Sequence, residues 1–255
     1  MERPKNNAHY KAIGLHTNGF ALLKALPDGS FLLENHKNAS FTTLLRECGI
    51  FFGDGAHSVR VVTNPAPPIL IPNEIFAPPA SQFFKVHSEL SDSDMVMEDE
   101  LDCYTALYPF PAGKVEQLKQ AGLPPFFQHT ATVLARYLTL NSGDRPHRMV
   151  LFFHGNTAEC VLFCYNRLAF VNAFTFATND EVVYQVANIL RQHEVEADDC
   201  LLLFSGELPE PKKSFDFVNQ YFPDMDWAGD RLYVTVTSAA GKSVAAHTVL
   251  NLLPF

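Results

Sequence analysis

The chain has 255 residues, of which 47% are hydrophobic and 18% are charged, so it can bury a sizeable core and is not a disordered polypeptide. Its formal net charge of -9 and its lack of any dense Lys/Arg run argue against nucleic acid or anionic lipid as a partner. No apolar leader follows the first charges, and no stretch reaches the ~18 apolar residues that a membrane helix needs. We therefore expect a cytoplasmic protein of one large or two ordinary domains, without an integral membrane segment.

The five cysteines indicate reduced thiols, because their number is odd and no secretion signal accompanies them. Cys160 and Cys164 lie four residues apart in a predicted strand and so share one face. A zinc pair is the alternative to burial there. The apolar residues between them, and the absence of C-x-x-C and H-x-H motifs, favour a buried face.

The first half of the chain is predicted to open with three antiparallel strands, a capped helix and a fourth strand. Pro27-Asp28-Gly29 has the composition of a tight turn before the third strand. Ser40 can cap a helix that reaches about Gly49. The predicted strands are 10–16, 19–26, 31–35 and 58–63.

The middle of the chain is less regular. Six prolines within 64–79 predict an extended surface connection, and a short helix is expected at about 80–90. Seven acidic residues within 88–102, with no Lys or Arg, predict a solvated loop that runs into a strand. A cation site is the alternative, although the D-x-D-x-D-G spacing of a calcium loop is missing. Further helices are expected at 112–121 and 130–140.

After a polar break at 141–144 the pattern begins again. Strands are predicted at 148–154, 157–165 and 168–176, and a buried strand at 200–204. Between them lies the clearest helix of the sequence. Thr178 and Glu181 have the spacing of a capping box, and the helix is expected to end near His193. Its buried stripe consists of Val182, Val183, Val186, Ile189 and Leu190.

The two halves share this order of elements, with an offset of about 138 residues. Three antiparallel strands followed by helix and strand form the ribonuclease-H-like unit, and two such units in tandem build actin, the large heat-shock chaperones and the sugar kinases. We therefore predict an α/β protein with a duplicated ribonuclease-H-like fold and mixed sheets, with lobes at 1–143 and 144–255. Two unrelated α/β domains, or one large mixed sheet, are the alternatives.

A more specific resemblance rests on one stretch of the second half. Its pattern is N-x-F-x-F-x-T followed by acids, and it consists of Asn172, Phe174, Phe176, Thr178, Asp180, Glu181, Tyr184 and Gln192. The chain resembles a family of uncharacterised bacterial actin-like (ASKHA) proteins, which are distantly similar to the PilM-type proteins of type IV pilus assembly. The resemblance implies a fold and assigns no activity or cofactor.

The phosphate-binding hairpins of actin-like ATPases carry an Asp near the end of the first strand, usually as D-x-G. The Asp positions Mg²⁺ or its waters, and the Gly lets backbone amides approach phosphate. Here the hairpins are 13–19 (IGLHTNG) and 152–157 (FFHGNT), and neither holds a carboxylate. The Gly-Gly turn expected on the adenosine side is replaced by Gly206-Glu207. The sequence therefore argues against ATPase or kinase activity.

His16 and His154 fall at equivalent places in the two repeats, and an asparagine follows each two residues later, Asn18 and Asn156. With Gly206 they are the candidate ligand-binding residues of the interlobe cleft, suited to an anion or a small polar ligand. The alternative is that each histidine ends a strand and is satisfied by a backbone carbonyl. No catalytic residue, metal ligand or cofactor is predicted.

Two motifs invite other interpretations. Gly241-Lys242-Ser243 resembles the end of a phosphate-binding loop, but Val236 stands where that motif needs Gly, so we expect only a turn that starts a helix. Trp227, the single tryptophan, is expected to cover the core, with a partner contact as the alternative.

Three functions are therefore considered. We favour a non-catalytic actin-like scaffold that binds another protein. The alternatives are a nucleotide-binding protein with a degenerate site and a small-ligand sensor that uses His16 and His154.

Overall fold

The computed structural model describes residues 10–16, 19–52, 59–76, 79–80, 82, 84, 91–141, 145–208, 210–230, 232 and 234–255. These residues form two compact units. The first takes its residues from 1–133, 234–244 and 251–254, and the second from 134–233, 245–250 and 255. The predicted boundary between 143 and 144 falls at residues outside this description, so the division into 1–143 and 144–255 stays a prediction. The sequence did not predict that two C-terminal segments, 234–244 and 251–254, belong to the first unit.

The main sheet of the first unit combines a meander with parallel strands. Its strands are β1 (Lys11–His16), β2 (Gly19–Ala25), β3 (Phe31–Lys37), β4 (Val59–Thr63), β8 (Pro125–His129), β14 (Val236–Ser238) and β15 (Ser243–Val244). Their order in the sheet is β15-β14-β3-β2-β1-β4-β8. β1, β2 and β3 pair antiparallel, whereas β4 lies parallel to β1, β8 parallel to β4, and β14 parallel to β3.

One face of this sheet packs against helices α1 (Phe41–Phe52) and α2 (Ala112–Gln120). Alternate strand residues point to that face, which is why apolar residues recur at every second position. The predicted cap of α1 is present, since the Thr43 amide donates to Ser40 Oγ at 3.2 Å. The buried side chains of this core include Ile13, Leu22, Leu44, Cys48, Val59, Val61, Leu118 and Phe127.

The middle of the chain adds a smaller antiparallel sheet to the first unit. Its strands are β5 (Ile69–Pro72), β6 (Asp94–Glu100) and β7 (Tyr104–Pro111), in the order β5-β7-β6. The proline-rich segment was predicted to be an extended surface connection, and its residues 69–72 form a strand that pairs with β7. Pro72 is the last residue of β5, a position where the lost donor costs little. The helix expected at 80–90 lies mostly outside the described residues.

The second unit repeats the order of the first. Its strands are β9 (His147–His154), β10 (Thr157–Cys164), β11 (Arg167–Thr175), β12 (Cys200–Glu207) and β13 (Met225–Trp227), and its helices are α4 (Asn179–Gln192) and α5 (Pro211–Val218). The sheet order is β11-β10-β9-β12-β13, which matches β3-β2-β1-β4-β8 strand for strand. The duplicated ribonuclease-H-like fold is therefore confirmed, and one continuous mixed sheet is excluded.

Helix α4 begins as its sequence predicts. The Glu181 amide donates to Thr178 Oγ1 at 3.3 Å, and the Glu181 carboxylate accepts from the Ala177 amide at 2.6 Å. Its apolar stripe packs with strand residues into the core of the second unit, which contains Cys160, while Cys164 packs at the edge of that core. Burial raises the pKa of both thiols, as expected for a buried face.

The C-terminal region corrects one prediction. Gly241-Lys242-Ser243 does not begin a helix; these residues form the turn of the β14–β15 hairpin, and Gly241 adopts a φ of 76° there. A 3-10 segment, Ala246–Leu252, follows β15. Helix α3 (Thr130–Leu140) follows β8. Within the described ranges, no helix combines the length and the hydropathy needed to span a membrane.

Candidate functional site

The two hairpins that would hold phosphate in an actin-like ATPase occupy the same place in the two sheets. In the first unit, His16 ends β1 and pairs with Gly19 of β2. In the second, His154 ends β9, pairs with Thr157 of β10 and lies beside Glu207 of β12. Asn18 lies outside the described residues. Both histidines are half-buried.

The first hairpin is crowded at Gly14, where a D-x-G pattern ending at His16 would place the carboxylate. A Cβ on Gly14 would lie 3.0 Å from Leu252 Cδ2 and 3.1 Å from His16 Nε2. Residues 14 and 16 share a face of β1, so the imidazole folds back over the glycine. The absence of a side chain at Gly14 is thus what allows His16 and Leu252 to pack there.

The second hairpin fills the equivalent place with a large apolar side chain. Phe152 is only 4% exposed, in the middle strand of the five-stranded sheet. The turn that follows contains Gly155, with a φ of 60°, and an exposed Asn156. The Asn156 carbonyl accepts the Phe176 amide at 2.9 Å and so closes the end of β11 over the turn. The described contact of Asn156 is therefore a structural one.

Gly206 is required by the close approach of two backbones. Its φ is 87°, and a Cβ there would lie 2.1 Å from the Phe153 carbonyl oxygen. Glu207, the next residue, is exposed and lies beside His154 on the neighbouring parallel strand. The close packing of β12 against β9 is thus sufficient to explain why residue 206 is a glycine.

Within the second unit the structure brings together three of the candidate residues. His154 and Gly206 lie at the neighbouring ends of β9 and β12, and Asn156 lies in the turn that follows β9. Glu207, which was not a candidate, lies beside His154. His16 belongs to the first compact unit. The joint action of His16 and His154 therefore stays a prediction.

Two buried arginines in the strands of the two main sheets were missed from the sequence. Arg60, 8% exposed, donates from Nη1 to Tyr10 Oη at 2.8 Å and to the Leu253 carbonyl at 2.7 Å. Arg148, 1% exposed, donates from Nη1 to the Leu138 and Asn141 carbonyls and from Nη2 to Asn166 Oδ1. The available signal was a single Arg inside an otherwise apolar strand. A buried charge must be hydrogen-bonded, so such an Arg indicates a fixed internal partner.

Trp227 covers the core of the second unit, as predicted, and its stacking partners were not foreseen. Its ring lies between Phe215, at 4.8 Å, and His247, at 4.3 Å. The His247 carbonyl also accepts a hydrogen bond of 2.6 Å from Ser205 Oγ. Burial lowers the pKa of His247, and the nearby Asp230 carboxylate opposes that shift. A neutral ring is favoured, as suits a stacked core residue.

The described residues of the two hairpins include no group of three metal ligands. The one such group among the described residues is Glu34, His36 and Glu47 in the first unit. Glu207, beside His154, is a single carboxylate at the end of β9.

Comparison with known proteins identifies a family and a fold. The model of a family described as "Protein of unknown function (DUF3822)" matches residues 51–225. No curated protein matches the chain.

Two solved structures resemble the whole chain. A protein from Bacteroides thetaiotaomicron with an actin-like ATPase fold and unknown function is 15% identical, with a TM-score of 0.73 and 98% of each chain covered. The PilM–PilN type IV pilus biogenesis complex matches at 12% identity and a TM-score of 0.62, over 89% of this chain and 90% of that one. At such identities the likeness shows the fold alone, and that fold is the actin-like one.

Proposed function

Since the chain belongs to the DUF3822 family of unknown function and has the actin-like fold, we propose that it is a non-catalytic scaffold of that fold which binds another protein. A fold of this kind hosts many functions, so the proposal rests on the site. The observation that carries it is the state of the two hairpins. Where a D-x-G pattern would place its acids, one hairpin has a crowded Gly14 and the other a buried Phe152.

The chemistry of phosphoryl transfer makes this observation decisive for the proposal. Mg²⁺ requires oxygen ligands, and the metal neutralises the charge that develops on the transferred phosphoryl group. An Asp at position 14 would have to displace Leu252 or His16, and an Asp at 152 would be a buried carboxylate. Both replacements are embedded in the packing of their sheets, which fits a fold kept for its surface.

A protein partner is supported by analogy with one similar structure. The PilM–PilN complex contains a protein of this fold assembled with another protein. The net charge of -9 and the absence of a basic run make another protein a better partner than nucleic acid. The cytoplasmic location stays a prediction, so a partner search should sample soluble and membrane fractions alike.

The first test is a calorimetric titration of the purified chain with ATP and Mg²⁺, accompanied by thermal unfolding. We expect no saturable heat and no change in Tm, because neither Gly14 nor Phe152 offers an oxygen ligand to Mg²⁺. Micromolar binding would contradict the proposal and support a degenerate nucleotide site.

The second test is affinity capture from both fractions of the source cells, with the heat-unfolded chain as the matched bait. We expect one protein to be recovered repeatedly by the folded bait alone and to bind again when both are purified. A clean monomer that captures nothing in repeated trials would count against the scaffold.

A small polar ligand is the second candidate function, and the adjacency of His154, Gly206 and Glu207 favours it. A His16→Ala/His154→Ala double variant tests this function: its affinity for small anions and nucleotides is compared with that of the natural chain. Binding in the natural chain that the double variant loses would establish it, whereas equal affinity in both chains would exclude it.

A further inference from the structure

Three side chains with metal-binding atoms meet at the junction of β3 and α1. Glu34 and His36 are two residues apart on β3 and therefore point to the same face of the sheet. Glu47 comes from α1, which packs over that face. One ligand atom from each residue lies within 4.8 Å of the other two. The side chains of Glu34, His36 and Glu47 are 32%, 19% and 18% exposed, so none projects freely into solvent.

The imidazole of His36 is held in position by its surroundings. Its ring stacks on Phe20 with centroids 4.5 Å apart and an interplanar angle of 22°. The His36 backbone packs closely against Gly19, where a Cβ would lie 2.0 Å from the His36 carbonyl oxygen. A ring restrained in this way presents Nε2 in one direction, as a preorganised metal ligand requires.

The contact between His36 and Glu34 has the distance of an ion pair but not the direction of a hydrogen bond. His36 Nε2 lies 3.0 Å from Glu34 Oε1. Nε2 is nevertheless enclosed and has no hydrogen-bond partner among the described residues. Two ligands of one cation have this relation, because their lone pairs converge on the metal and not on each other. Tetrahedral zinc bonds of about 2.0–2.2 Å place neighbouring ligand atoms roughly 3.3–3.6 Å apart, so a small opening of the His36–Glu34 contact would admit the ion.

Glu47 can supply the third ligand without losing its present contact. Arg46 donates to it from Nε at 2.9 Å and from Nη2 at 2.7 Å, and both bonds end on Oε1. The second oxygen of Glu47 is therefore the one available to a cation. Two carboxylates and one imidazole also carry more negative charge than Arg46 offsets, so a divalent cation would complete the balance.

We propose that Glu34, His36 and Glu47 bind a divalent transition-metal cation of the zinc class, which joins strand β3 to helix α1. One nitrogen and two oxygen ligands suit Zn²⁺ and its neighbours better than the all-oxygen sites of Ca²⁺ or Mg²⁺. Three protein ligands leave a position for water. The site uses none of the residues that carry the scaffold proposal, so neither proposal depends on the other.

The test uses Co²⁺ as a spectroscopic probe of the full-length, tag-free chain, stripped with chelator and kept reduced. We expect one equivalent to bind with weak visible absorption, to be displaced by Zn²⁺, and to raise the Tm. Glu34→Gln and Glu47→Gln keep the side-chain shape and should each weaken binding by about 100-fold or more, since even outer-sphere changes cost about 10–100-fold. Glu116→Gln, which alters an exposed Glu paired with Lys119, is the matched control and should bind like the natural chain.

Three results would overturn the proposal. The first is no binding of Co²⁺ at millimolar concentration. The second is equal affinity in the two cluster variants and the control. The third is an intense near-ultraviolet thiolate band, which would place the metal on the exposed Cys103 or another cysteine. Circular dichroism confirms that each variant is folded, and either cluster variant alone suffices for the comparison.

Discussion

The β1–β2 and β9–β10 hairpins start from the same position in two sheets of the same strand order and fill it by opposite means. At residue 14 a glycine removes the side chain and lets His16 and Leu252 move in, whereas at residue 152 a phenylalanine fills the space itself. Both arrangements leave the position packed and without a carboxylate. The comparison teaches that sheet topology alone does not decide which side chain fills an equivalent position, because the two repeats pack it with unrelated residues.

Each repeat also buries one arginine, on strands that do not correspond: Arg60 on β4 and Arg148 on β9. Arg60 holds the C-terminal tail through one carbonyl and one tyrosine, while Arg148 bonds to two carbonyls near the end of α3 and to an asparagine amide. A cation at a helix C-terminus satisfies carbonyls that have no partner within the helix. We infer that the second unit depends more heavily on its arginine than the first.

Replacing the two arginines tests this inference and has the largest expected effect. Arg148→Met should lower the free energy of unfolding by about 3–4 kcal/mol and Arg60→Met by about 2 kcal/mol, because hydrogen bonds to a charged group contribute roughly 1.5–3 kcal/mol each and desolvation relief offsets part of the loss. Urea unfolding followed by circular dichroism and by Trp227 fluorescence gives both values. Arg167→Met, at an exposed position of β11, is the control. A larger loss in the Arg60 variant would reverse the comparison.

The glycines of the second hairpin region offer a sharper contrast within one unit. Gly206→Ala must push the Phe153 carbonyl away and should cost about 3 kcal/mol of unfolding free energy, from overpacking and a left-handed φ together. Gly155→Ala meets nothing within 4 Å and should cost only about 1 kcal/mol for its φ of 60°. Thermal and urea unfolding of the two variants measure this difference. Equal costs would mean that β12 moves freely against β9.

The corresponding strands β8 and β13 also end differently. We expect the difference to appear as a pH dependence of the free energy of unfolding. β13 ends at the stacked Trp227, whereas β8 ends at His129, which is 1% exposed. His129 Nε2 lies 2.8 Å from the Ala66 carbonyl, and Nδ1 accepts the Ala131 amide at 3.1 Å, so the ring is neutral with its proton on Nε2. Burial lowers the pKa of His129 to about 4.

A histidine with a lowered pKa contributes stability above its unfolded pKa, and that stability is lost as the pH falls toward the folded value. Between pH 7 and pH 5 the free energy of unfolding should drop by about 2 kcal/mol through His129 alone. In His129→Gln this share of the pH dependence should vanish, although the variant is less stable at pH 7. Urea unfolding at a series of pH values compares the two slopes, and identical slopes would assign the effect to other histidines.

Much of the fold was predictable because it depends on local sequence patterns. The meanders, the cap at Ser40, the capping box at Thr178 and the apolar stripe of α4 depend on residues close together in the chain. The short strands β13 and β15 were missed because two or three residues carry no periodicity. The pairing of the proline-rich segment with β7 was missed because proline usually excludes a strand.

At the candidate site, the sequence predicted which residue types are missing but not which side chains pack in their place. The amino-acid sequence alone shows that neither hairpin contains a carboxylate. What replaced it, such as His16 over Gly14 against Leu252, joins residues that are more than two hundred positions apart. The buried partners of Arg60 and Arg148 and the group of Glu34, His36 and Glu47 likewise depend on how strands and helices come together.

By itself, then, the sequence determined the order of elements, the duplication and the lack of phosphate-binding acids, because each depends on neighbouring residues or on composition. The tertiary structure decided which side chains fill the vacated strand ends, which glycines are forced by backbone approach, and where ligand atoms converge. Those outcomes depend on distances between segments remote in the chain, and a periodic pattern contains no information about such distances.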